Sequence, residues 1–252
     1  KRASGERDEA LTLLQPYLEI SEDADIRTVF RHNMYFNEVC RIHRAQNKIS
    51  SEEMTRLHVQ AVEEGQHLCK LYERKGGAVY TVLLRNLSVS FDQLAILCDR
   101  LEKSASGKDR EICSEIIRSV LPSQTATPTE KGYFLLEAET CHNESLRLAK
   151  ICQQSDPFSD GRAYDLHLSF SGLGKLYARK DFPKYDPDKA LRYFNDSIAP
   201  IIGIAEEEKK EEKFIRAVNK SYLDIIKMHM SSERFDEAKK CLDDCIGMQD
   251  KA

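Results

Sequence analysis

Two pairs of residues in this sequence have the types and spacing that general acid–base chemistry requires. Four residues separate Arg27 from His32, and four separate Arg162 from His167. An imidazole can accept and return a proton near neutral pH, and a guanidinium beside it can stabilise an anion. The chain has seven histidines and many arginines, so pairs at this spacing are also expected by chance. The spacing alone therefore does not predict an enzyme.

Thiols and imidazoles also lie close together in the sequence. Cys40 and His43 would share one face of a helix, and Cys141 is followed directly by His142. A catalytic thiol needs a base that a third group orients, and no such group is placed near either pair. We therefore interpret these residues as packing residues.

Metal and phosphate sites are not predicted. Cys241 and Cys245 are one helical turn apart, but the chain has no CxxC motif, and zinc sites usually need paired ligand motifs. The glycines at 172 and 174 lie within a helical pattern with no strand before them, which excludes a phosphate-binding loop. The sequence predicts no metal and no cofactor.

Composition indicates a soluble globular protein. Of its 252 residues, 41% are hydrophobic and 32% are charged, which is enough apolar material for a sizeable core. The 38 basic and 42 acidic side chains give a formal net charge of -4, which favours neither nucleic acid nor an anionic membrane as a partner. Eight dispersed cysteines are typical of reduced thiols, so we expect a cytoplasmic protein. The first residue is Lys1, not methionine, which suggests a domain of a longer protein.

Apolar residues recur with helical periodicity along almost the whole chain, and strand signals are nearly absent. The pattern predicts an all-α fold of about ten helices. A proline-bounded loop at 122–128 separates two predicted regions, 1–121 and 129–252. One predicted helix begins at about residue 51. The predicted helices after it cover 78–101, 108–121, 129–153, 162–180, 187–208, 212–230 and 234–248.

A short pattern recurs three times within these helices. It consists of a serine, an aromatic residue and, three residues later, a leucine or isoleucine, and it begins at Ser90, Ser169 and Ser221. A second amphipathic helix follows each copy. This order predicts stacked helical hairpins.

The last two units resemble the tetratricopeptide repeat (TPR), a helix-turn-helix unit with large, small and aromatic residues at fixed spacings. The resemblance rests on Phe170-x-x-Leu173-Gly174-x-x-Tyr177 with Ala190-x-x-x-Phe194-x-x-Ser197, and on Tyr222-x-x-Ile225-Ile226-x-x-His229 with Ala238-x-x-x-Leu242-x-x-Cys245. It implies a right-handed superhelix of irregular TPR-like hairpins. The small residues Gly174, Ala190 and Ala238 would allow close contact between helices.

The resemblance also implies a binding function, because stacked units leave a concave face lined by their first helices. We expect this face to bind a protein or peptide segment. Other domains of the parent protein are also expected partners. The parent protein would be a regulatory or signalling protein. The predicted ligand-binding residues are Asp92, Gln93, Arg100, Lys175, Arg179, Asp224 and Lys227.

Two alternatives remain. The chain could be a purely structural helical domain of a larger protein. Alternatively, the arginine–histidine spacing is similar to that of helical ribonucleases of the HEPN type, which implies acid–base cleavage of RNA by His32 or His167.

Overall fold

The computed structural model describes residues 37–43, 49–121, 127–205 and 212–250. Every regular element in these ranges is a helix, so the predicted all-α class is confirmed. The predicted Arg27–His32 pair and the helices before residue 37 lie outside the described residues. The chain divides into two compact units, Lys1–Leu148 and Ala149–Ala252. This division falls inside a helix, beyond the predicted boundary loop at 122–128.

The first unit contains a short helical stretch at 37–43 followed by long helices. These are α1 (Ser51–Tyr72), a 3-10 turn (Glu73–Lys75), α2 (Gly77–Ser104), α3 (Gly107–Arg118) and α4 (Tyr133–Ser155), whose last turns belong to the second unit. Both α2 and α3 pack against α1. The core of this unit includes Phe91, Leu94 and Leu101 of α2.

Local chemistry fixes both ends of α1. The hydroxyl of Ser50 accepts a hydrogen bond from the backbone N–H of Glu53 at 3.1 Å, and Glu52 adds a second carboxylate to the first turn. Gly76 has a φ of 57°, a conformation that glycine adopts at little cost, and it separates the 3-10 turn from α2. Both signals were readable in the sequence.

The start of α4 is held by a carboxylate from α2. Glu102 accepts hydrogen bonds from the backbone N–H groups of Gly132 at 2.8 Å and Phe134 at 3.1 Å. Arg110 of α3 donates to Glu102 at 3.1 Å and to the carbonyl oxygen of Pro128 at 2.9 Å. The first turn of α4 is therefore capped by a residue distant in sequence.

Among the described residues, α2 is the one helix that is long and apolar enough to cross a membrane, with a mean hydropathy of 1.2 in its most apolar stretch. Because 56% of that stretch is buried inside the protein, the composition is also that of a core helix.

The second unit is built from two consecutive hairpins. Its helices after α4 are α5 (Asp160–Tyr177), α6 (Pro187–Ile198), the short α7 (Ile202–Ala205), α8 (Glu212–Ser231) and α9 (Phe235–Asp250). Helix α5 packs on α6, α6 on α8, and α8 on α9. Each helix thus packs against the next long one in the chain.

The predicted helix over 187–208 is interrupted. It begins as expected, because Asp186 caps the N–H of Lys189 at 2.9 Å and Pro187 occupies the first turn. However, α6 ends at Ile198, and α7 is a separate helix. Pro200 lies between them and cannot continue a helix, since it lacks an N–H and its ring meets the preceding turn.

One of the predicted close contacts between helices is present in the second unit, at Gly174. A Cβ atom at Gly174 would lie 2.7 Å from Cδ1 of Phe194, closer than two carbon atoms can approach. Ala190 and Ala238 are also buried. The three small residues therefore lie in the interior of the two hairpins, as predicted.

Candidate functional site

The two first helices of the hairpins, α5 and α8, each expose one face that combines leucine with basic side chains. On α5, Leu168 and Lys175 are seven residues apart and therefore lie on one side of the helix, and Arg179 follows two residues after the helix ends at Tyr177. Leu168 and Lys175 are exposed, and Arg179 is half-buried. The side chains opposite them form part of the core.

Helix α8 repeats this arrangement with more charge. Its exposed residues at the same helical spacing are Glu212, Arg216, Lys220, Leu223, Lys227 and Met230, and Arg216 is paired with Glu212. We define the basic face as Leu168 and Lys175 of α5, Arg179 just after that helix, and Arg216, Lys220, Leu223, Lys227 and Met230 of α8.

Aromatic contacts join the starts of α5 and α8. The rings of Tyr164 and Phe214 meet edge to face with their centroids 5.7 Å apart. The ammonium of Lys213 lies 4.9 Å from the Phe214 ring centroid and 5.9 Å from that of Tyr164. Such contacts are favourable when partly shielded from water, so they stabilise the contact between the starts of the two helices.

A buried polar chain links three helices beneath the basic face. The Nδ1 of His167 in α5 lies 2.9 Å from the carbonyl oxygen of Ser197 in α6, to which it donates as an N–H. The Ser197 hydroxyl lies 2.9 Å from the hydroxyl of Ser221 in α8. The pKa of His167 is lowered, mainly by burial; the Ser197 carbonyl partly offsets this, and the charges of Lys175 and Lys220 lower it further.

The second hairpin makes the corresponding contact with different atoms. Aligning the two repeats matches His167 with Asn219 and Ser197 with Cys245. The thiol of Cys245 donates to the side-chain oxygen of Asn219 at 3.4 Å. The same two positions are therefore hydrogen-bonded in both hairpins, a match that the aromatic pattern of the sequence did not reveal.

The Arg162–His167 pair is used for packing. His167 is buried, and Arg162 donates to the carbonyl oxygen of Cys152 at 3.1 Å and to the hydroxyl of Ser155 at 2.9 Å. The arginine binds the end of α4, whereas the histidine binds α6. The two groups do not converge on a common exposed point.

The predicted residues of the second unit lie on or beside the basic face. Lys175 and Lys227 are exposed. Arg179 makes a two-pronged contact with Asp181, at 2.9 and 2.7 Å. Asp224 is mostly buried and lies 3.7 Å from the ammonium of Lys227. Of the four predicted residues of this unit, the two lysines are therefore the most exposed.

Sequence reasoning missed several residues of the same face. Leu168, Arg216, Lys220, Leu223 and Met230 follow the helical period outward from the predicted lysines. Applying the same helical spacing to further turns of each helix predicts them.

The predicted residues of the first unit have different environments. Asp92 lies 3.1 Å from Nδ1 of His142, and both side chains are largely buried. Gln93 is half-buried. Arg100 lines a cleft of about 270 Å³ between the start of α1 and the end of α2. Other lining residues are Ile49, Ser50, Ser51, Met54, Leu97, Leu101 and Ser104.

A second buried polar group lies at the start of α4. Glu137 is fully buried, and burial raises the pKa of its carboxyl, with the Tyr133 hydroxyl and Arg118 acting in the opposite direction. Burial, together with Glu137, raises the pKa of Tyr133 to about 12. Both side chains are enclosed in the core of the first unit.

The cysteines are all free, and seven of the eight are buried. Cys40 packs against Ala61, which is the role expected of a small apolar residue. No cluster of histidine, cysteine and carboxylate side chains suited to a metal ion occurs among the described residues.

No protein-family model matches this chain, and no curated protein matches it. Among solved structures, it is similar to the crystal structure of BtubC (BKLC) from P. vanneervenii, with 13% identity and a TM-score of 0.41 over 98% of this chain and 90% of that one. It is also similar to a structure from the computational design of self-assembling cyclic protein homooligomers, with 12% identity and a TM-score of 0.33 over 98% of this chain and 91% of that one. Both scores are too low to establish a shared fold.

Proposed function

We propose that this chain is a TPR-like helical-repeat scaffold that binds a segment of another protein across its basic face. The observation that carries the proposal is that α5 and α8 are in contact at their starts and that each helix exposes a leucine and lysine on one side. Apolar contact supplies affinity, and the surrounding charges orient the ligand and raise its rate of association. The expected ligand is a peptide segment with apolar side chains and carboxylates.

The repeat interpretation is supported by two contacts at equivalent positions, His167 with Ser197 and Asn219 with Cys245. In a right-handed superhelix, further hairpins would extend the same face. We place the protein in the cytoplasm, as a binding or sensor part of a larger regulatory protein, since free buried cysteines suit a reducing compartment.

The test first selects peptide ligands and then reverses the charge of two lysines of the basic face. Peptides are selected from a displayed random library on the whole chain, and their affinities are measured by fluorescence anisotropy. The variant Lys175→Glu with Lys227→Glu should weaken binding by at least about tenfold, because attraction becomes repulsion. Circular dichroism checks that the helices are retained.

A charge-matched control uses exposed lysines elsewhere, Lys108→Glu with Lys240→Glu. It should change the affinity by less than about twofold, since exposed charges far from the ligand are screened. Unchanged binding by the Lys175 and Lys227 variant would show that the ligand site lies elsewhere.

A further inference from the structure

A carboxyl group without a hydrogen-bond partner lies in the core of the first unit. Glu137 of α4 is 0% exposed, and neither of its carboxyl oxygens has a partner among the described residues. The hydroxyl of Tyr133, one turn earlier in the same helix, is also enclosed and also lacks a hydrogen bond there. Most buried polar groups in proteins are hydrogen-bonded, so these two residues are an exception.

Burial favours the neutral form of this carboxyl. It raises the pKa of Glu137, while the Tyr133 hydroxyl and the guanidinium of Arg118 in α3 lower that pKa in part. The guanidinium lies 5.8 Å from the centroid of the Tyr133 ring, and Arg118 is exposed. A surface cation is therefore near the enclosed carboxyl without a hydrogen bond to it.

Two other ionisable groups of α4 lie close to Glu137. The pKa of Tyr133 is raised to about 12, by burial first and then by Glu137. Cys141, one turn after Glu137, is fully buried, and its pKa is raised by burial first and then by Cys98 of α2. Both groups therefore remain neutral around neutral pH.

Helix α2 also brings a charged pair to this region. Asp92 lies 3.1 Å from Nδ1 of His142, and its charge helps to raise the pKa of Cys141. Replacing Glu137 leaves this pair in place. A comparison of variants at position 137 therefore separates the carboxyl from any contribution of the pair.

Ionisation of Glu137 is costly while its surroundings stay closed. A buried carboxylate without hydrogen bonds is strongly unfavourable, and it needs water or a cation beside it. Both become available when the end of α3 moves away from the start of α4, because water then enters and Arg118 can turn towards the carboxylate.

We propose that Glu137 makes the junction between the end of α3 and the start of α4 a pH-sensitive switch. The junction is closed while the carboxyl is protonated, and it opens locally when the carboxyl gives its proton to water. The switch lies in the first unit, whereas the basic face belongs to helices of the second, so the two proposals stand or fall separately.

The direction of the pH dependence follows from the raised pKa of Glu137. The folded unit holds the proton more tightly than the unfolded chain does. Its stability is therefore greatest below the ordinary pKa of a glutamate, 4.5, and falls as the pH rises through the raised value. A buried histidine has the opposite effect, because its lowered pKa favours unfolding in acid.

Hydrogen exchange of the whole chain, followed by mass spectrometry between about pH 5 and about pH 8, tests the switch. Amide protection is corrected for the intrinsic pH dependence of exchange. In the wild type, peptides from the end of α3 and the start of α4 should lose protection by at least about fivefold as the pH rises. Glu137→Gln cannot ionise, so protection of the same peptides should stay constant.

The matched control is Glu115→Gln, the same chemical change at an exposed carboxyl of α3, and it should follow the wild type. A second variant, Arg118→Met, removes the cation that lowers the pKa of Glu137, so its loss of protection should begin at a higher pH. Infrared difference spectroscopy observes the proton itself. The carbonyl band of protonated carboxylic acid should be larger in the wild type than in Glu137→Gln at the pH where protection is high.

Equal exchange profiles of the wild type and Glu137→Gln would overturn the proposal, and so would carbonyl bands of equal size. Circular dichroism establishes whether Glu137→Gln folds. Should it not fold, the comparison of the wild type with Arg118→Met decides, and an unshifted profile in that variant would rule the switch out.

Discussion

The hairpin of α5 and α6 and the hairpin of α8 and α9 share one order of contacts but fill it with different side chains. In the first, Gly174 leaves room for the ring of Phe194. In the second, the matching positions hold Ile226 and Leu242, so bulk has moved from the second helix to the first. The two hairpins therefore pair their helices in the same order but enclose the matching positions to different degrees, since Phe194 is 2% exposed and Leu242 is 46% exposed.

The largest effect is expected from truncating the two matched apolar residues. Phe194→Ala should lower the free energy of unfolding by about 3–5 kcal/mol, because a buried ring is lost and a cavity remains. Leu242→Ala should cost only about 1 kcal/mol, since the leucine is half exposed. Urea denaturation of both variants measures the difference. Equal losses would mean that α9 is enclosed in the same way as α6.

Adding a methyl group at the close contact should have the next largest effect. Gly174→Ala should destabilise the protein by about 1–3 kcal/mol, because the new Cβ overlaps the Phe194 ring. Gly247→Ala in α9 is the matched control, as no atom lies within 4 Å of its added Cβ. That change should be neutral or stabilise by up to about 1 kcal/mol through helix propensity. Thermal unfolding that ranks the two variants in the opposite order would disprove the close contact.

Acid should distinguish the two hairpins. The folded-state pKa of His167 is lowered, so the unfolded chain binds the proton more readily, and stability should fall as pH drops below about 6.5 towards that lowered pKa. His167→Asn, which copies Asn219 of the second hairpin, should reduce this loss. Unfolding free energies measured across this pH range test the point.

Part of the acid loss should persist in His167→Asn, because burial also lowers the pKa of His43, against the charge of Glu53. An unaltered pH profile in that variant would show that His167 is not buried as a neutral group.

The smallest effect is expected at the ion pair between the hairpins. Arg234→Ala should change the unfolding free energy by less than about 0.5 kcal/mol, because Asp188 is exposed and the charges are 3.8 Å apart. A double-mutant cycle with Asp188→Ala gives the coupling directly. A coupling above about 1 kcal/mol would show that this pair contributes more than an exposed ion pair does.

Helix positions were predictable from the sequence because apolar period, caps and glycine stops are local signals. Ser50, Gly76 and Asp186 mark helix ends where the structure has them. Pro200 also predicts a helix end, but the apolar residues around it keep the helical period, which favoured one continuous helix. The lysines of the basic face could also be predicted from the sequence, because the helical period indicates which positions are exposed.

Contacts between side chains on different helices could not be predicted from the sequence. Asp92 was projected outward, yet it lies against His142 of another helix. Similarly, the hydrogen bond from His167 to Ser197 joins residues of separate helices. Such pairs depend on how helices are rotated about their axes, which a single apolar stripe defines only coarsely.

The carboxylate of Glu102 ties the amides of Gly132 and Phe134 to the end of α2. These two protons can exchange with deuterium only when that carboxylate releases them. Their exchange rates would therefore report fraying at the end of α2 or α3, although neither amide belongs to those helices. A partner that tightened the cleft beside Arg100 and Ser104 would be detected as slower exchange at two sites it never touches.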